Sequence, residues 1–218
     1  MSSSPNTRPV VDAARAQAGL TLVELMVVSG LLVFVIGTAF LAFNAASAMS
    51  DGVMAREQAS TMSALALERI TAEMRQARAL TSSGFAFKTT AADRAVFYVD
   101  LDHSGVPVRV TYYVSGGVLY RSEARSTLVS PTDADYVESP ARLVVYLDPT
   151  WTTVFTYYDN GSGDYNSFVA PVLVSSPGLT TAVQITIKSK VTVGGSTMTG
   201  QASSMVNIRS TEIILNGS

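Results

Sequence analysis

The sequence predicts an α+β protein in which one long N-terminal helix precedes a domain built on an antiparallel β-sheet. Two observations predict the helix: an apolar run from Leu22 to Phe43, and helix-forming residues that continue without proline to about Leu80. A third observation predicts the sheet, because beyond Leu80 apolar and polar residues alternate between short turns rich in Gly, Asp and Ser. The 218 residues leave enough chain after the helix for one hydrophobic core of ordinary size.

The apolar run from Leu22 to Phe43 is long enough to span a bilayer, and it is longer than the apolar core of a secretory signal peptide. Arg8 and Arg15 precede the run, and few cations follow it closely. The positive-inside rule therefore places the N-terminus in the cytoplasm. These residues predict a single-pass protein of the cytoplasmic membrane with an extracytoplasmic C-terminal domain.

Glu24 is the most informative residue of this run. A carboxylate inside a bilayer segment costs about 2.5 to 3.5 kcal/mol on insertion scales, so it indicates a function and a partner. Cleavage between Gly19 and Leu20 would create an α-amino group four residues before Glu24. That amine, from the same chain or from a neighbouring subunit, could form a buried ion pair, whose best attested role is to fix register.

The residues Gly-Leu-Thr-Leu-Val-Glu at positions 19–24, with the apolar helix that follows, resemble the type III leader of type IV pilins and pseudopilins. Ala18 stands where the family usually has Lys or Arg, and Leu20 where it usually has Phe. The resemblance implies cleavage after Gly19 by prepilin peptidase and N-methylation of the Leu20 amine. It also implies that Glu24 assists incorporation into a filament.

The resemblance further implies a ladle-shaped subunit with four parts. These are a leader peptide (1–19), a hydrophobic transmembrane and filament-core half of the helix (20–48), an amphipathic half that packs on the sheet (49–81) and an antiparallel β globular domain (82–218). The order of helix, meander and hairpins is similar to that of PilW-type minor pilins and GspJ-type pseudopilins. The fragments that carry this likeness are 108–114, 117–121 and 155–159.

Such subunits prime filament assembly in a complex at the filament tip. The resemblance therefore implies a structural protein whose partners are prepilin peptidase, the inner membrane and its assembly platform, the other minor pilins or pseudopilins, and the major pilin. The filament is either a surface pilus for adhesion, motility or DNA uptake, or a periplasmic pseudopilus for type II secretion. The sequence leaves this choice open.

Three other interpretations also stay open. The helix could be an ordinary signal anchor that carries Glu24 by accident. Cleavage after Ala48, at the small residues Ala46-Ser47-Ala48, would release a soluble secreted β-domain. A membrane-anchored enzyme or binding module that never polymerises would have the same anchor. A role of Glu24 in assembly distinguishes the pilin interpretation from all three.

The distal half of the helix is predicted to be amphipathic. Its core-facing residues follow 3-4-3 spacing, at Leu67, Ile70, Met74 and Ala77. Its charged residues are expected on the solvated side, at Glu68, Glu73, Arg75 and Arg78, with Arg69 and Glu73 one turn apart. Asp51-Gly52 is a plausible position for a bend or frayed turn.

The strands are predicted from β-branched and aromatic residues between turns. They are expected at 95–101, 106–114, 117–121, 142–147, 151–158, 182–193 and 205–215. The first three form a meander, the next two a hairpin across Asp148-Pro149-Thr150, and the last two a hairpin across Gly194-Gly195-Ser196. Five strand aromatics are candidate contact residues, at Tyr112, Tyr113, Trp151, Tyr157 and Tyr158.

Composition argues against an enzyme. The chain has no cysteine, so a disulfide framework, a thiol nucleophile and a cysteine-ligated metal are excluded. His103 is the only histidine, and no common nucleophile, zinc or phosphate-binding motif accompanies it. No catalytic residue and no small-molecule substrate are therefore predicted. Direct nucleic-acid binding is not predicted either, because the net charge is −2 and Lys188, Lys190 and Arg209 make too small a basic cluster.

Calcium is the one cofactor that the sequence suggests. Residues 100–105 partly resemble an EF-hand loop, but Thr111 stands where that loop needs a bidentate glutamate. Residues 159–164 also carry several oxygen ligands, so Asp159 and Asp164 are the favoured metal ligands. Both segments also fit ordinary turn chemistry in hairpins. Apart from calcium, no cofactor is expected.

Overall fold

A computed structural model describes residues 21–80, 84–102, 104–128, 131–158 and 180–208. Its elements are α1 (Leu22–Arg75), β1 (Phe87–Ala91), β2 (Arg94–Val99), β3 (Val108–Ser115), β4 (Val118–Arg125), β5 (Val137–Glu138), β6 (Arg142–Tyr146), β7 (Phe155–Tyr158), β8 (Ala182–Val193) and β9 (Ser196–Asn207), with a 3-10 turn at Asp133–Asp135. One long helix followed by antiparallel strands confirms the α+β class. The chain divides into two compact units, Met1–Ser47 and Ala48–Ser218.

In the first unit, the described residues form the first half of α1. Every residue from 21 to 47 is exposed, including a series of large apolar side chains such as Leu22, Phe34 and Phe43. Glu24 is the only charged residue in this half. The helix is long and apolar enough to cross a membrane, in agreement with the predicted span.

In the second unit, α1 buries one face against the strands. The buried helix residues are Ala55, Ala59, Ser63, Ala66, Ile70, Thr71 and Met74. The predicted core stripe is confirmed at Ile70 and Met74, while Leu67 is half-buried. The helix continues through Asp51 and Gly52, so the predicted frayed turn does not occur there. One helical glycine costs only about 1 kcal/mol, which the surrounding helix and packing offset.

The helix ends at Arg75, five residues before the predicted boundary near Leu80. The last turn tightens, because Ala77 N–H donates to the Met74 carbonyl at 3.1 Å. The chain then joins β2: Ala77 forms a bridge with Val99, and Arg78 N–H donates to the Tyr98 carbonyl at 2.8 Å. The backbone after Arg75 thus bonds to strand β2 instead of to another helical turn. Helix propensity alone does not predict this end of the helix.

The larger sheet is antiparallel, with the order β1-β2-β3-β4-β5, and β6 also pairs with β4. The predicted meander of three strands is confirmed as β2, β3 and β4. The first half of β4 pairs with β6 and its last residues pair with β5. The core between this sheet and α1 contains Phe87, Phe97, Tyr112 and Leu119.

The smaller sheet has the order β7-β8-β9 and corrects one predicted hairpin. β6 and β7 do not pair with each other, because β6 pairs with β4 and β7 pairs with β8. Between them the Asp148 carboxylate accepts hydrogen bonds from Thr150 N–H at 3.0 Å and from its hydroxyl at 2.7 Å. This turn redirects the chain: Leu147 bridges to Ser189, and Trp151 Nε1–H donates to the Thr186 carbonyl at 3.2 Å.

The last hairpin confirms the predicted partnership of β8 with a strand across Gly194-Gly195. On β8, Val183, Ile185 and Ile187 are buried, as their alternation predicts. However, β9 begins at Ser196 rather than at residue 205. Its first half is rich in Ser, Thr and Gly and carries little apolar signal, because a small residue is needed where it meets the helix. Residues 209–215 of the predicted strand lie outside the described residues.

Small residues allow β8 and β9 to approach the helix backbone closely, in a contact that we call the seam (Ala59, Ser63, Ser189 and Gly200). Ser63 Oγ–H donates to Ser189 Oγ at 2.8 Å, and Ser189 Oγ–H donates to the Ala59 carbonyl at 2.6 Å. A Cβ placed on Gly200 would overlap the backbone of Ala59 and Ser60. The seam therefore requires glycine at position 200.

Gly200→Ala is expected to destabilise the second unit by about 1 to 3 kcal/mol, because the added methyl forces the strand away from the helix backbone. Chemical unfolding of the detergent-solubilised chain, followed by fluorescence of its only tryptophan, Trp151, measures this change. Gly52→Ala is the matched control. Its Cβ would meet only the end of the Met198 side chain, at 3.4 Å, and alanine favours the helix. Equal stability of the two variants would contradict a close-packed seam.

Candidate functional site

The N-terminus of α1 holds the carboxylate that the sequence singled out. Thr21 N–H donates to Glu24 Oε2 at 3.0 Å, and the Thr21 hydroxyl donates to the same oxygen at 3.1 Å. In return, Glu24 N–H lies 3.2 Å from Thr21 Oγ1. This reciprocal arrangement is a capping box, in which the side chain three residues into the helix satisfies the backbone before it.

The capping box changes the interpretation of Glu24. Its carboxylate has hydrogen-bond donors within its own helix, so the charge is not left unsatisfied in a lone chain. The negative charge at a helix N-terminus also complements the helix dipole, typically by about 0.3 to 1 kcal/mol. Of the other predicted site residues here, Gly19 and Leu20 lie outside the described residues.

The sequence itself carries the signal for this cap. Thr-x-x-Glu immediately before an apolar run is the usual pattern of a capping box, and Thr21-Leu22-Val23-Glu24 fits it. Thr21 is therefore part of the candidate site, and the interpretation of Glu24 as an ion-pair partner alone overlooked it.

Thr21→Val is expected to fray the first turn of α1, because it removes one hydroxyl that both accepts from and donates to Glu24. Loss of such a cap typically costs about 1 kcal/mol. Amide hydrogen exchange should rise about fivefold at Glu24 and Leu25, whose N–H groups bond to Thr21, and remain unchanged in the middle of the helix. Thr38→Val is the control, because the Thr38 hydroxyl donates only to the Val35 carbonyl within the helix. Unchanged exchange at the N-terminus would exclude a structural role for the capping box.

A second polar cluster lies where α1 meets the larger sheet, and it corrects the prediction for Glu73. Glu73 is not on a solvated face, since its side chain is only 12% exposed. Glu73 Oε2 accepts a hydrogen bond from Tyr112 Oη at 2.8 Å and one from Arg121 Nε at 2.9 Å. Arg121 is 4% exposed and also pairs with Glu123. Arg69 joins the cluster at 3.4 Å from Glu73, as the sequence predicted.

This cluster fixes the helix on the sheet. Burial raises the pKa of the Tyr112 hydroxyl, and the Glu73 carboxylate raises it further, so Tyr112 remains a donor. Burial alone would lower the pKa of Arg121, but its bonds to Glu73 and Glu123 outweigh burial and raise it. Tyr112 and Arg121 therefore keep the protons that their hydrogen bonds to Glu73 require. The role of this cluster is structural.

A third cluster covers the other face of the larger sheet, around Asp133. Arg109 Nη1 donates to Asp133 Oδ1 at 2.7 Å, and Tyr98 Oη donates to the same oxygen at 2.8 Å. Lys88 pairs with the other oxygen of Asp133, and Arg109 also pairs with Glu138 at 2.8 Å. Burial alone would raise the pKa of Asp133, but the bonds from Lys88, Tyr98 and Arg109 lower it to about 2.

The lowered pKa of Asp133 predicts a pH dependence of stability. The Asp133 carboxylate stabilises the folded state fully above its unfolded pKa, near 3.9, and this stabilisation is lost as the pH falls towards about 2. Between these pH values the unfolded chain binds a proton at Asp133 and the folded protein does not, so acid favours unfolding. Asp133→Asn should flatten the stability curve between about pH 4 and pH 2, measured by urea unfolding. Asp93→Asn, at an exposed turn, is the control. An unchanged acid slope in Asp133→Asn would contradict the prediction.

The loop at 100–105 uses its acidic residues for ion pairs. Asp100 is buried, and its Oδ2 accepts from Arg78 Nη1 at 3.3 Å and from Gly105 N–H at 3.3 Å. Asp102 accepts from Ser104 N–H at 3.2 Å and pairs with Arg125 at 3.3 Å. Two carboxylates that already face arginines are poor ligands for a cation. No metal-binding group of three acidic or histidine side chains occurs among the described residues.

The favoured calcium ligands, Asp159 and Asp164, lie outside the described residues, as does His103. The calcium prediction for that segment therefore stays a prediction.

The candidate contact aromatics divide into two groups. Tyr112 and Tyr157 are core residues rather than contact residues, since they are 0% and 7% exposed and their hydroxyls bond to Glu73 and to the Arg94 carbonyl. The alternation of apolar and polar residues predicted that both lie on strands, but it did not show which face of the sheet the core covers. The others are partly exposed: Tyr113 stacks on Tyr120, Tyr158 donates to Gln184, and Trp151 has Lys188 Nζ 4.0 Å from its ring centre.

No protein-family model matches this sequence, and no curated protein sequence matches it significantly.

Proposed function

We propose that this chain is a minor type IV pilin, a structural subunit that prepilin peptidase processes and that primes assembly at the filament tip. One observation carries the proposal: an exposed, apolar half-helix has a single charged residue, Glu24, placed at its first turn. The same helix continues into an amphipathic half that packs on an antiparallel domain. An ordinary anchor would gain only the helix cap from Glu24, whereas a subunit that must find a neighbour within the membrane also gains a charge that can pair.

The capping box supports a mechanism in two states. In a lone subunit, Thr21 satisfies the Glu24 carboxylate and lowers the cost of keeping it in the apolar segment. After cleavage at Gly19, the methylated amine of Leu20 supplies a cation at similar depth. In the filament, Glu24 bonds to that amine, either in its own chain or in the neighbouring subunit. When the amine belongs to the neighbouring subunit, pairing selects one axial register, because unpaired groups are costly there.

The second unit gives the subunit its specificity. Before assembly it lies on the extracytoplasmic side of the inner membrane, and after assembly it is displayed at the pilus tip. Its partners are the other minor pilins, the major pilin and the assembly platform. Among its described residues, the polar clusters around Glu73 and Asp133 pair charges within the fold, as a structural role requires.

A type II secretion pseudopilin of the tip complex is the second candidate, because Glu24, its cap and the packed helix would serve that filament equally well. The two candidates differ in where the mature protein is found. A surface pilus can be sheared from cells, whereas a periplasmic pseudopilus cannot.

The test is mass spectrometry of the N-terminal peptide, taken in parallel from sheared surface filaments and from the remaining cell envelope. A peptide that begins at N-methylated Leu20 in the sheared fraction would establish a pilus subunit. The same peptide confined to the envelope would favour the secretion pseudopilin. A chain that begins after Ala48, or one that retains Met1, would overturn both.

A further inference from the structure

The turn of the β8–β9 hairpin lies against the helix residues with which the second unit begins. A Cβ placed on Gly194 would overlap the Asp51 carboxylate, so the turn touches the helix there. A Cβ placed on Gly52 would lie 3.4 Å from Met198 Cε, so the first residues of β9 touch the helix as well. Beyond this point β9 follows α1 to the seam. The turn therefore lies at the residues by which α1 enters the second unit.

Asp51 is the first charged residue of α1 after Glu24, because residues 25–50 carry no charge. At about 1.5 Å per residue, this uncharged stretch of helix measures about 39 Å. A bilayer is about 30 Å thick in its hydrocarbon core and about 40 to 45 Å thick with both headgroup layers. A membrane-spanning α1 therefore brings Asp51, and the hairpin turn beside it, to the headgroup layer at the far end of the span.

The side chains around this turn suit a headgroup layer. Met49, Val53 and Met198 are large and apolar, and they are 74%, 66% and 39% exposed. Met49 and Val53 are one helical turn apart and so share a face. On the hairpin, the exposed hydroxyls of Thr192 and Thr197 lie 2.8 Å apart. At a membrane interface the apolar side chains leave water while hydroxyls beside them stay hydrated, so this combination gains from contact with lipid.

The charges near the turn permit this contact. The strands β8 and β9 and the turn between them contain no acidic residue, and their two cations are Lys188 and Lys190. On the adjacent part of α1, Asp51, Arg56 and Glu57 sum to −1. With the two lysines, the net charge at this end of the unit is +1. A phospholipid surface, neutral or anionic, therefore does not repel it.

We infer that the β8–β9 turn and the apolar side chains beside it, Met49, Val53 and Met198, contact the phospholipid headgroup layer of the membrane that α1 spans. The inference rests on the membrane span of the proposed function, but it does not require that the subunit joins a filament. The contact gives the second unit a fixed resting place on the membrane surface. Extraction of the subunit from the membrane would break it.

The chain has no cysteine, so a single introduced cysteine can carry an environment-sensitive fluorophore. Thr197→Cys labels the turn, and Asn207→Cys is the matched control, exposed on the same face of β9. The labelled full-length protein is reconstituted in phosphatidylcholine vesicles that contain phosphatidylcholine with a spin label on its headgroup. Quenching at Thr197→Cys should be at least about threefold stronger, because ten strand residues place the control about 33 Å further along β9. Equal quenching at the two positions would overturn the inference.

A second pair of variants tests whether the apolar side chains make the contact. Val53→Glu should reduce quenching of the Thr197→Cys probe by about half or more, because a charged side chain stays in water instead of entering the interface. Leu65→Glu is the control, since Leu65 is similarly exposed, at 60%, and lies about 18 Å further along α1. Unchanged quenching in Val53→Glu would also overturn the inference.

A Phe34→Cys probe, with a spin label on the lipid acyl chain, reports the span separately. If this probe is quenched and the Thr197→Cys probe is not, the span stands and only the hairpin contact is overturned. If neither is quenched, the span and the contact are both overturned. Purified vesicles require neither N-terminal processing nor a filament, so the N-terminal peptide tests the proposed function independently.

Discussion

Glu24→Ala is expected to reduce incorporation of the protein into filaments by more than about tenfold, while its expression and membrane insertion stay normal. The change removes the one charge of the apolar half-helix without shortening it. In the filament proposed above, a methylated amine at Leu20 would then lack a counter-ion in an apolar environment, and breaking such a pair typically costs about 3 to 5 kcal/mol. Even 1.4 kcal/mol of this amounts to a factor of ten in an equilibrium.

The measurement compares the amount of protein in sheared filaments, or in crosslinked tip complexes, with the amount in the membrane. Ser29→Ala is the matched control, since Ser29 lies on the same half-helix and its hydroxyl bonds only to the Leu25 carbonyl, at 2.7 Å. Thr21→Val should fall between the two variants, because it weakens the cap but leaves the charge. Normal assembly of Glu24→Ala would argue for an ordinary anchor in which Glu24 is incidental.

Arg121→Met is expected to destabilise the second unit by about 3 to 5 kcal/mol, the largest stability effect that the structure predicts. The substitution preserves much of the side-chain volume but leaves the Glu73 carboxylate, which is 12% exposed, with only Tyr112 and Arg69 as partners. Urea unfolding of the detergent-solubilised chain measures the difference. Arg125→Met on the same strand should cost less than about 1 kcal/mol, because Arg125 is 57% exposed in its pair with Asp102.

The double variant Glu73→Leu with Arg121→Met identifies the cause. Two apolar residues leave no unpaired buried charge between them, so the pair should recover more than half of the lost stability. If Arg121→Met alone were nearly neutral, or if the double variant were no better than the single one, the cluster would not be what holds the helix on the sheet.

Local patterns in the sequence were sufficient for much of this fold. The long helix and the strands β2, β3 and β4 follow from periodicity, because each is decided by neighbours close in sequence. The partners of β6 and β7 were wrong because a strand pattern says nothing about which edge is available. Instead of pairing with each other, β6 pairs with β4 and β7 pairs with β8. The start of β9 was missed because its first six residues are mostly exposed and polar, and the buried one, Gly200, meets the helix backbone and has no apolar side chain.

Among the charged residues, too, some could be interpreted from nearby sequence and others depend on distant contacts. Glu24 could be identified from the sequence, since a charge inside an apolar run stands out before any fold is known. The burial of Glu73 could not be predicted, because its position in the helical pattern is typical of a solvated residue. Its carboxylate can be buried because Tyr112 and Arg121, which are distant in sequence, donate hydrogen bonds to it. Arg109 and Asp133 likewise meet across 24 residues of chain.

The seam between α1 and the β8–β9 hairpin has a mechanical consequence. Its contacts run along both elements, from Asp51 beside the Gly194 turn to Ala59 and Ser63 beside Gly200 and Ser189. In the proposed filament, a pull along the helix axis would load these contacts together, in shear, instead of peeling them apart one at a time. Shear of interlocked backbones resists force better than sequential peeling does. The small residues would thus let the folded unit bear tension that enters through its helix.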